Sequence, residues 1–306
     1  MKMHPIIHKW GIVQMIIKPD FLNNFKCIAD KCSDTCCAGW EIYADPQTAD
    51  YYSIIPGESG DYVRSHLTKS DDGILLCREG ERCPFLRGDN LCELIIRLGE
   101  GSLCDICREH PRFYAETENL IEMGVGLCCP EAARLWLESP CDFIFEEDEY
   151  QPTQKEKEML DRQMKLIDYL ANSEGALGER LCSLLGDAEN DDALYSKLCK
   201  LYSSLELLDV RFAERFYANP REFSDNRMSK LAAYFIFRYY FELGEEMCLK
   251  FCAASLIMIA SLDGELESSA KDYSKEVEYD TDNLERIYEF LSDCSSLGPL
   301  CAKMLK

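Results

Sequence analysis

Twelve of the chain's eighteen cysteines fall within its first 141 residues. Most of the twelve are grouped: Cys27, Cys32 and the adjacent Cys36 and Cys37, then Cys83 and Cys92, then Cys104 and Cys107, then the adjacent Cys128 and Cys129. Thiolate is a soft ligand for zinc and for iron–sulfur clusters, and several thiolates must converge on one point to hold either. Cysteines kept for packing alone have no reason to group in this way. The other common cause of many cysteines is a disulfide framework, which belongs to short exported chains without an adequate core. With 306 residues, 47% of them hydrophobic, this chain can bury a core unaided. Its length allows one large domain or two modest ones. Residues 1–19 carry His4, His8, Lys9 and Lys18 around a short, interrupted apolar run with no small-residue cleavage pattern behind it, so no export signal is expected. The expected compartment is therefore the cytoplasm, where thiols stay reduced.

The longest uncharged apolar stretch, residues 251–262, is well short of the roughly 20 residues a bilayer needs. It reads as a buried helix, and no membrane partner is expected. The formal charge of −23 speaks against nucleic acid as a partner. Phosphate binding needs a concentrated basic surface, and the sequence has no run rich in lysine and arginine. An acidic surface suits a basic, lysine-bearing protein partner; its simplest use is to keep the chain in solution.

Cysteine density divides the chain near residues 142–152, where Glu146, Glu147, Asp148 and Glu149 lead into Gln151 and Pro152. The division predicts a Cys-rich metal- or cluster-binding domain over residues 1–150 and a helical domain over residues 151–306. The fold class is expected to be mainly α, with short β-strands in the Cys-rich domain and a helical bundle after it. Strands are expected at 11–17, 40–43 and 73–77, with a hairpin over 112–123 that turns at Glu118 and Asn119. Short, punctuated elements suit a domain in which ligation replaces part of the burial. Further on, Leu160, Met164, Ile167 and Ala171 mark an amphipathic helix over 155–171, and Leu194, Leu198, Leu201 and Leu205 mark another over 193–208. Residues 230–262 read as two strongly apolar helices broken near Gly244, and 282–291 begins a further one. The acidic run at 187–192 reads as a solvated loop between helices. Cys248 and Cys252, one helical turn apart among Leu249, Phe251 and Ala253, read as core thiols, as do the isolated Cys182, Cys199, Cys294 and Cys301.

The grouped cysteines carry the chemistry. Adjacent Cys36 and Cys37 are awkward as a disulfide but can point to different sides of an irregular loop. Cys83-Pro-Phe-Leu86, followed by Leu91-Cys92, reads as a knuckle closed by the polar turn Arg87 to Asn90. Cys104 and Cys107 have the close spacing of a ligand pair, and His110-Pro111-Arg112 after them should end any helix. Zinc knuckles are usually regular and paired. Here the intervals are four, three and zero residues in the first group, eight in the second and eleven before the third. This irregularity favours an iron–sulfur cluster such as 4Fe–4S over zinc, and the surplus of thiols leaves the four ligands of a cluster open.

In this order, Cys-x4-Cys-x3-Cys-Cys-x2-Trp, Cys-Pro-Phe-Leu with Leu-Cys following, the Cys-x3-Pro-Arg step at Cys107, and Cys129-Pro130-Glu131-Ala132 resemble the flagellin lysine-N-methylase family of Cys-rich, zinc- or iron-chelating proteins. The match spans about residues 15–140; His110 stands where the family pattern has phenylalanine. The resemblance implies methyl transfer from S-adenosylmethionine to lysine ε-amines of flagellin, with a Cys-bound metal centre. Its pattern maps onto Cys32, Cys36, Cys37, Cys83, Cys92, Cys107 and Cys129 as metal ligands, with Cys104 and Cys128 as extra thiols beside them.

Making a lysine with a pKa of about 10.4 nucleophilic at neutral pH costs about 4.6 kcal/mol, which an enzyme recovers by desolvation or by a base. Asp34 and Glu131 are the candidates for the base or for the anchor of the lysine. Trp40, with Tyr43, Phe113 and Tyr114, is a candidate for excluding water at the donor and lysine, and Arg112 for holding the donor carboxylate. No alternating βαβ pattern with a glycine-rich turn is present, so the donor is not expected on a doubly wound sheet. A cluster with an open iron offers another route to its amino and carboxylate groups. The Cys-x3-Cys-x2-Cys spacing of radical enzymes is absent after Cys32 and Cys36, which leaves polar transfer as open as radical chemistry. The competing reading is non-catalytic: a zinc-stabilised protein-binding module or an electron carrier.

Overall fold

The computed structural model describes residues 15–306 apart from 72, 79, 147–150, 187, 190, 218, 219, 222, 224, 225 and 296. The described chain begins as strand β1 (Met15–Pro19), followed by a 3-10 turn, Asp20–Asn24, that buries Phe21 and Leu22. The strand expected at 11–17 thus runs to Pro19, and residues 11–14 lie outside the described part.

Lys26–Pro111 then packs as one unit. Its elements are β2 (Ile42–Ala44), α1 (Pro46–Ile54), α2 (Gly57–Ser65), β3 (Thr68–Ser70), β4 (Gly73–Cys77), α3 (Glu93–Leu98) and α4 (Asp105–Glu109). The three strands form an antiparallel sheet in the order β2-β4-β3, with Ile42 paired to Cys77 and Thr68 to Leu75. Asp45 starts α1 by accepting the Thr48 amide at 2.9 Å, and Pro46 occupies the first helical position, where a missing N–H costs nothing. Tyr52, Val63, Phe85 and Leu94 fill the interior, none more than 2% exposed. As expected, α4 stops before Pro111.

The second unit comprises the described part of Gly11–Phe25 together with Arg112–Lys306. The hairpin β5 (Arg112–Glu116) and β6 (Leu120–Val125) joins β1, with β7 (Phe143–Glu146) on the far side. The resulting mixed sheet has the order β5-β6-β1-β7; β1 runs parallel to β6 and antiparallel to β7. This pairing is why the contacts divide the chain at residues 25 and 111, whereas cysteine density points to a boundary near 150. β1 is 97 residues away from β5 in sequence but shares its sheet, so both the opening strand and the hairpin belong with the helices. Of the acidic stretch at the expected boundary, Glu146 pairs with Lys18 across the sheet edge, while Glu147, Asp148 and Glu149 lie outside the described residues.

Helices α5 (Pro130–Glu138), α6 (Gln154–Asn172), α7 (Leu177–Leu185), α8 (Leu194–Tyr202), α9 (Arg227–Ser261), α10 (Leu266–Tyr273), α11 (Thr281–Ser292) and α12 (Leu297–Met304) complete this unit. A π-helical turn, Ser274–Glu278, follows α10. The helix read at 155–171 is α6, opened by a capping box in which Thr153 and Glu156 satisfy each other's backbone amides. The break read near Gly244 is present: α9 loses helical geometry there, with φ at 72° and ψ at 169°, a backbone that only glycine takes up readily. The 251–262 stretch is the buried second half of α9, and among the described residues no helix is long and apolar enough to cross a membrane. Gly178 lets α7 meet α12, because a Cβ there would stand 2.1 Å from the Cys301 carbonyl oxygen.

One helix is shorter than its leucine pattern. The segment read as helical to residue 208 ends at Tyr202, although Leu205 is still buried. Side chains from later in the chain take the backbone amides beyond it. Asn283 Oδ1 accepts the Glu206 N–H at 2.9 Å, and Glu276 Oε2 accepts the Leu208 N–H at 2.7 Å.

Candidate metal centre

The first unit brings six cysteines into one core. Cys77, Cys83 and Cys104 are buried in it, and Cys37, Cys92 and Cys107 pack against it. The knuckle read from the sequence forms as expected: the Leu86 amide donates to the Cys83 carbonyl at 3.0 Å, the Asn90 amide to Arg87 at 3.1 Å, and Leu86 bridges Cys92. This turn returns Cys92 to the side of Cys83. The Cys83 amide donates to the Cys37 carbonyl at 2.8 Å, and Ala38 bridges Arg82, so the Cys36-Cys37 loop is tied to the knuckle through the backbone.

Cys104 and Cys107 are set by polar contacts around α4. Asp45 Oδ2 accepts the Asp105 amide at 2.9 Å, which pins the start of α4 to the start of α1. Burial works against the Asp45 carboxylate, but the amides of Asp105 and Thr48 outweigh it and lower its pKa. Tyr52 donates its hydroxyl to the Ser102 carbonyl at 2.7 Å, two residues before Cys104. Burial raises the Tyr52 pKa, and the nearby charges of Cys104, Cys107 and Cys92 raise it further.

The thiols act on one another. A hydrogen bond from Cys36 lowers the Cys37 pKa to about 7 against burial, aided by Thr35 and Arg82. The hydrogen bond between Cys104 and Cys107 lowers Cys104 and, with burial, raises Cys107 well above the ordinary thiol value. Burial pushes Cys83 up to about 12, and the charges of Cys37, Cys77 and Cys92 add to the effect. Cys92 is raised by burial and then by Cys37 and Cys104. Each member thus feels the charge of others across the group. Among the described residues, no three Cys, His, Asp or Glu side chains already surround one point as ligands. The thiols share a neighbourhood without forming a finished coordination shell. The donors are all sulfur, which fits zinc or an iron–sulfur cluster and is a poor match for the hard oxygen-loving cations.

Cys27 is exposed and accepts the Ala29 amide at 3.4 Å; Cys32 is half-buried and Cys36 exposed, and neither Cys27 nor Cys32 belongs to the thiol core. Cys77 and Cys104 are core members that the family pattern leaves out. The signal for Cys77 was its place at the end of a strand six residues before Cys83. Asp34 accepts the Thr35 amide at 2.7 Å in the loop that leads to Cys37. Trp40 is 4% exposed, its ring 6.4 Å from that of His110.

The remaining candidates belong to the second unit. Cys129 stands at the N-cap position of α5, its side chain making no capping hydrogen bond to the helix. Burial pushes the neighbouring Cys128 up to about 12. Glu131 is held by Arg134 at 2.7 Å, and this partner lowers its pKa. The Arg112 guanidinium lies over the Phe25 ring, 5.5 Å from its centre. Sequence reasoning missed a buried polar knot beside Cys128. Arg238 lies among the rings of Phe113, Tyr234, Tyr239 and Tyr279 and stands 3.4 Å from Glu278, which also accepts both the Tyr234 and Tyr239 hydroxyls. An arginine in the middle of an apolar helix gives no sign in sequence of the carboxylate 40 residues away that answers it.

No family model matches the chain, and no solved structure matches it. Among curated proteins it is similar over 138 residues to flagellar biosynthetic protein FliU of Salmonella muenchen, at 30% identity, covering 41% of this chain and 78% of that protein. It is 29% identical over 138 residues to the Lysine-N-methylases of Salmonella choleraesuis and Salmonella typhimurium, again covering 41% of this chain. The match spans only 33% of the length of each of those two proteins. The extent of the match to FliU shows that the chain belongs to the flagellin lysine-N-methylase family.

Proposed function

We propose that the chain is a protein-lysine N-methyltransferase that uses S-adenosylmethionine, takes flagellin as substrate and holds a 4Fe–4S cluster through cysteines of its first unit. The observation that carries this reading is the gathering of Cys37, Cys83, Cys92, Cys104 and Cys107 in one small core, in a chain similar to proteins named Lysine-N-methylase. Those five are the proposed ligand pool, with Cys32 and Cys36 on the adjoining loop. When bound, the cluster supplies iron with an open position suited to amino and carboxylate groups.

The chain's own residues have separate tasks. Cys37 and Cys104, the thiols whose pKa values are lowered, enter ligation first, and the raised thiols lose their protons as metal binds. Trp40 walls the site with apolar surface and so favours the neutral form of an incoming lysine. Asp34, two residues before Cys36, takes the proton from the lysine ammonium. The amine lone pair then forms the new N–C bond while the C–S bond of the donor breaks and its electron pair returns to sulfur, giving the thioether. Glu131, the other candidate base, is engaged by Arg134.

The test is made on protein purified without oxygen. Iron and acid-labile sulfide are measured, and methyl transfer from labelled S-adenosylmethionine to flagellin is followed by mass spectrometry. About four iron and four sulfide per chain, with methyl-lysine appearing on flagellin, is the expected result. One zinc with no sulfide, or a full cluster with no methyl transfer, overturns the reading. The zinc result would favour a structural thiolate site in a protein-binding module.

A further inference from the structure

The helical unit contains a cavity of about 610 Å³ whose described lining includes no aspartate or glutamate. In a chain of net charge −23, a cavity whose described side chains include two arginines and no carboxylate is a marked local reversal. Arg180, 7% exposed, stands in its wall. Its guanidinium bonds only neutral oxygens, the Ser173 carbonyl at 2.7 Å and Ser229 Oγ at 2.8 Å, and its Nε is buried without a partner. Burial lowers the Arg180 pKa. Arg221 repeats the pattern: it donates to the Gly264 carbonyl and lies 3.5 Å from Ser269 Oγ, and its Nε is likewise buried without a partner.

Two helices also begin at this cavity. α7 starts behind Ala176 and α9 behind Asn226, and neither N-cap side chain bonds the helix behind it. The Gly178 amide of α7 already donates to the Leu305 carbonyl at 2.7 Å, so what the helix starts bring to the cavity is their partial positive charge, which favours an anion. The opposite quality is present as well. Phe223 lines the cavity with its ring 5.0 Å from the Arg221 guanidinium, and Leu177 and Met228 add apolar wall. The volume falls in the range of small-molecule sites, far larger than a bare inorganic ion requires.

We infer that this cavity is a binding site for a small organic anion with a phosphate or carboxylate head and an apolar body. The head lies between Arg180 and Arg221, whose planar forks match either oxyanion, and the body lies against Phe223 and Leu177. S-adenosylmethionine is a poor occupant, because its sulfonium and ammonium would meet two guanidiniums and, among the described residues, no carboxylate side chain. The site is independent of the proposed methyl transfer and of the thiol core.

The experiment is calorimetric titration of the full chain in phosphate-free, low-salt buffer with phenyl phosphate, benzoate and benzyl alcohol, which present one ring type with two anionic heads or none. At least one of the two anions is expected to bind with one-to-one stoichiometry and to raise the melting temperature, while benzyl alcohol does neither. The tighter anion identifies the head. Arg221→Gln and Arg180→Lys are each expected to weaken binding tenfold or more; the lysine keeps the charge but loses the fork. Arg221 is the less buried of the two, so its variant carries the test if Arg180→Lys does not fold. Absence of saturable binding by both anions overturns the inference. So does binding that Arg221→Gln leaves unchanged.

Discussion

Both units of this protein bury thiols, and they treat them in opposite ways. In the first, cysteines meet cysteines: Cys36 sets the state of Cys37, Cys104 sets that of Cys107, and, beyond burial, Cys83 responds to Cys37, Cys77 and Cys92 while Cys92 responds to Cys37 and Cys104. In the second, the cysteines of α9 and α12 meet hydrocarbon. Cys248, Cys252 and Cys301 are fully buried, their pKa values are raised first by burial, and Cys248 and Cys252 donate only to carbonyls of the same long helix. The first arrangement is useful only if something other than packing needs the sulfur, since a cluster of partly charged thiols is a costly way to fill a core. The second is ordinary packing by a small, weakly polar side chain.

The sharpest way to break this contrast is to remove sulfur from each side. Cys36→Ser, Cys37→Ser, Cys83→Ser and Cys107→Ser are each expected to cut metal content by more than half in anaerobically purified protein. Cys199→Ser and Cys252→Ser should leave it unchanged. Full metal in all four variants of the first unit would erase the distinction. The next effect is kinetic. In metal-free protein, iodoacetamide followed by peptide mass spectrometry should label Cys37 early, with a rate that climbs through pH 7 and levels off above it, because its pKa is about 7. Cys248 and Cys252 should react only after denaturant is added, and early labelling there would show that the second unit does not shield its thiols.

Two smaller effects test whether the second unit holds itself together without metal. Glu156 Oε1 accepts from the Asn119 amide at 2.9 Å and from Thr117, and its other oxygen caps α6. Burial opposes the charge, yet these donors lower its pKa to about 2. A carboxylate with a depressed pKa stabilises the fold above its unfolded value and loses that contribution as pH falls toward the folded one. Glu156→Ala should therefore cost about 2 kcal/mol in denaturant unfolding at pH 7, and the gap to the parent protein should narrow between pH 4.5 and pH 2. An unchanged gap at low pH would contradict the assignment. Glu122 runs the other way: it is fully buried on β6, and burial raises its pKa well above the ordinary value. A raised carboxyl costs stability progressively as pH climbs above the unfolded pKa. Glu122→Gln should accordingly stabilise the protein measurably at pH 7 in denaturant unfolding, with no gain at pH 4. A loss of stability at pH 7 would mean that the carboxylate is charged and partnered.

What could be read from the sequence was what neighbours in the sequence decide. The α6 stripe, the hairpin turning at Glu118 and Asn119, the break at Gly244 and the Cys83–Cys92 knuckle each depend on spacings of a few residues. The division between units was hidden because it follows from β1 pairing with β6 and β7, a choice made more than 100 residues away. The same holds for the site. Grouping singled out most of the thiols, but Cys77 entered through a strand register with Ile42, and Cys129 follows the others in order while belonging to the helical unit. The orphaned faces of Arg180 and Arg221 depend on what is absent around them, and no residue pattern records an absence.

The stacking of Arg112 over Phe25 has a consequence for how the protein is put together. These two residues are the points at which the chain leaves the helical unit and comes back to it, and they touch. Between them runs the whole of Lys26–Pro111. In architectural terms residues 26–111 are an insertion whose two anchoring residues meet within the second unit, so a few linker residues suffice to join them. That closeness of entry and exit makes the cysteines between them a portable module, carried by the framework without being interleaved with it in sequence.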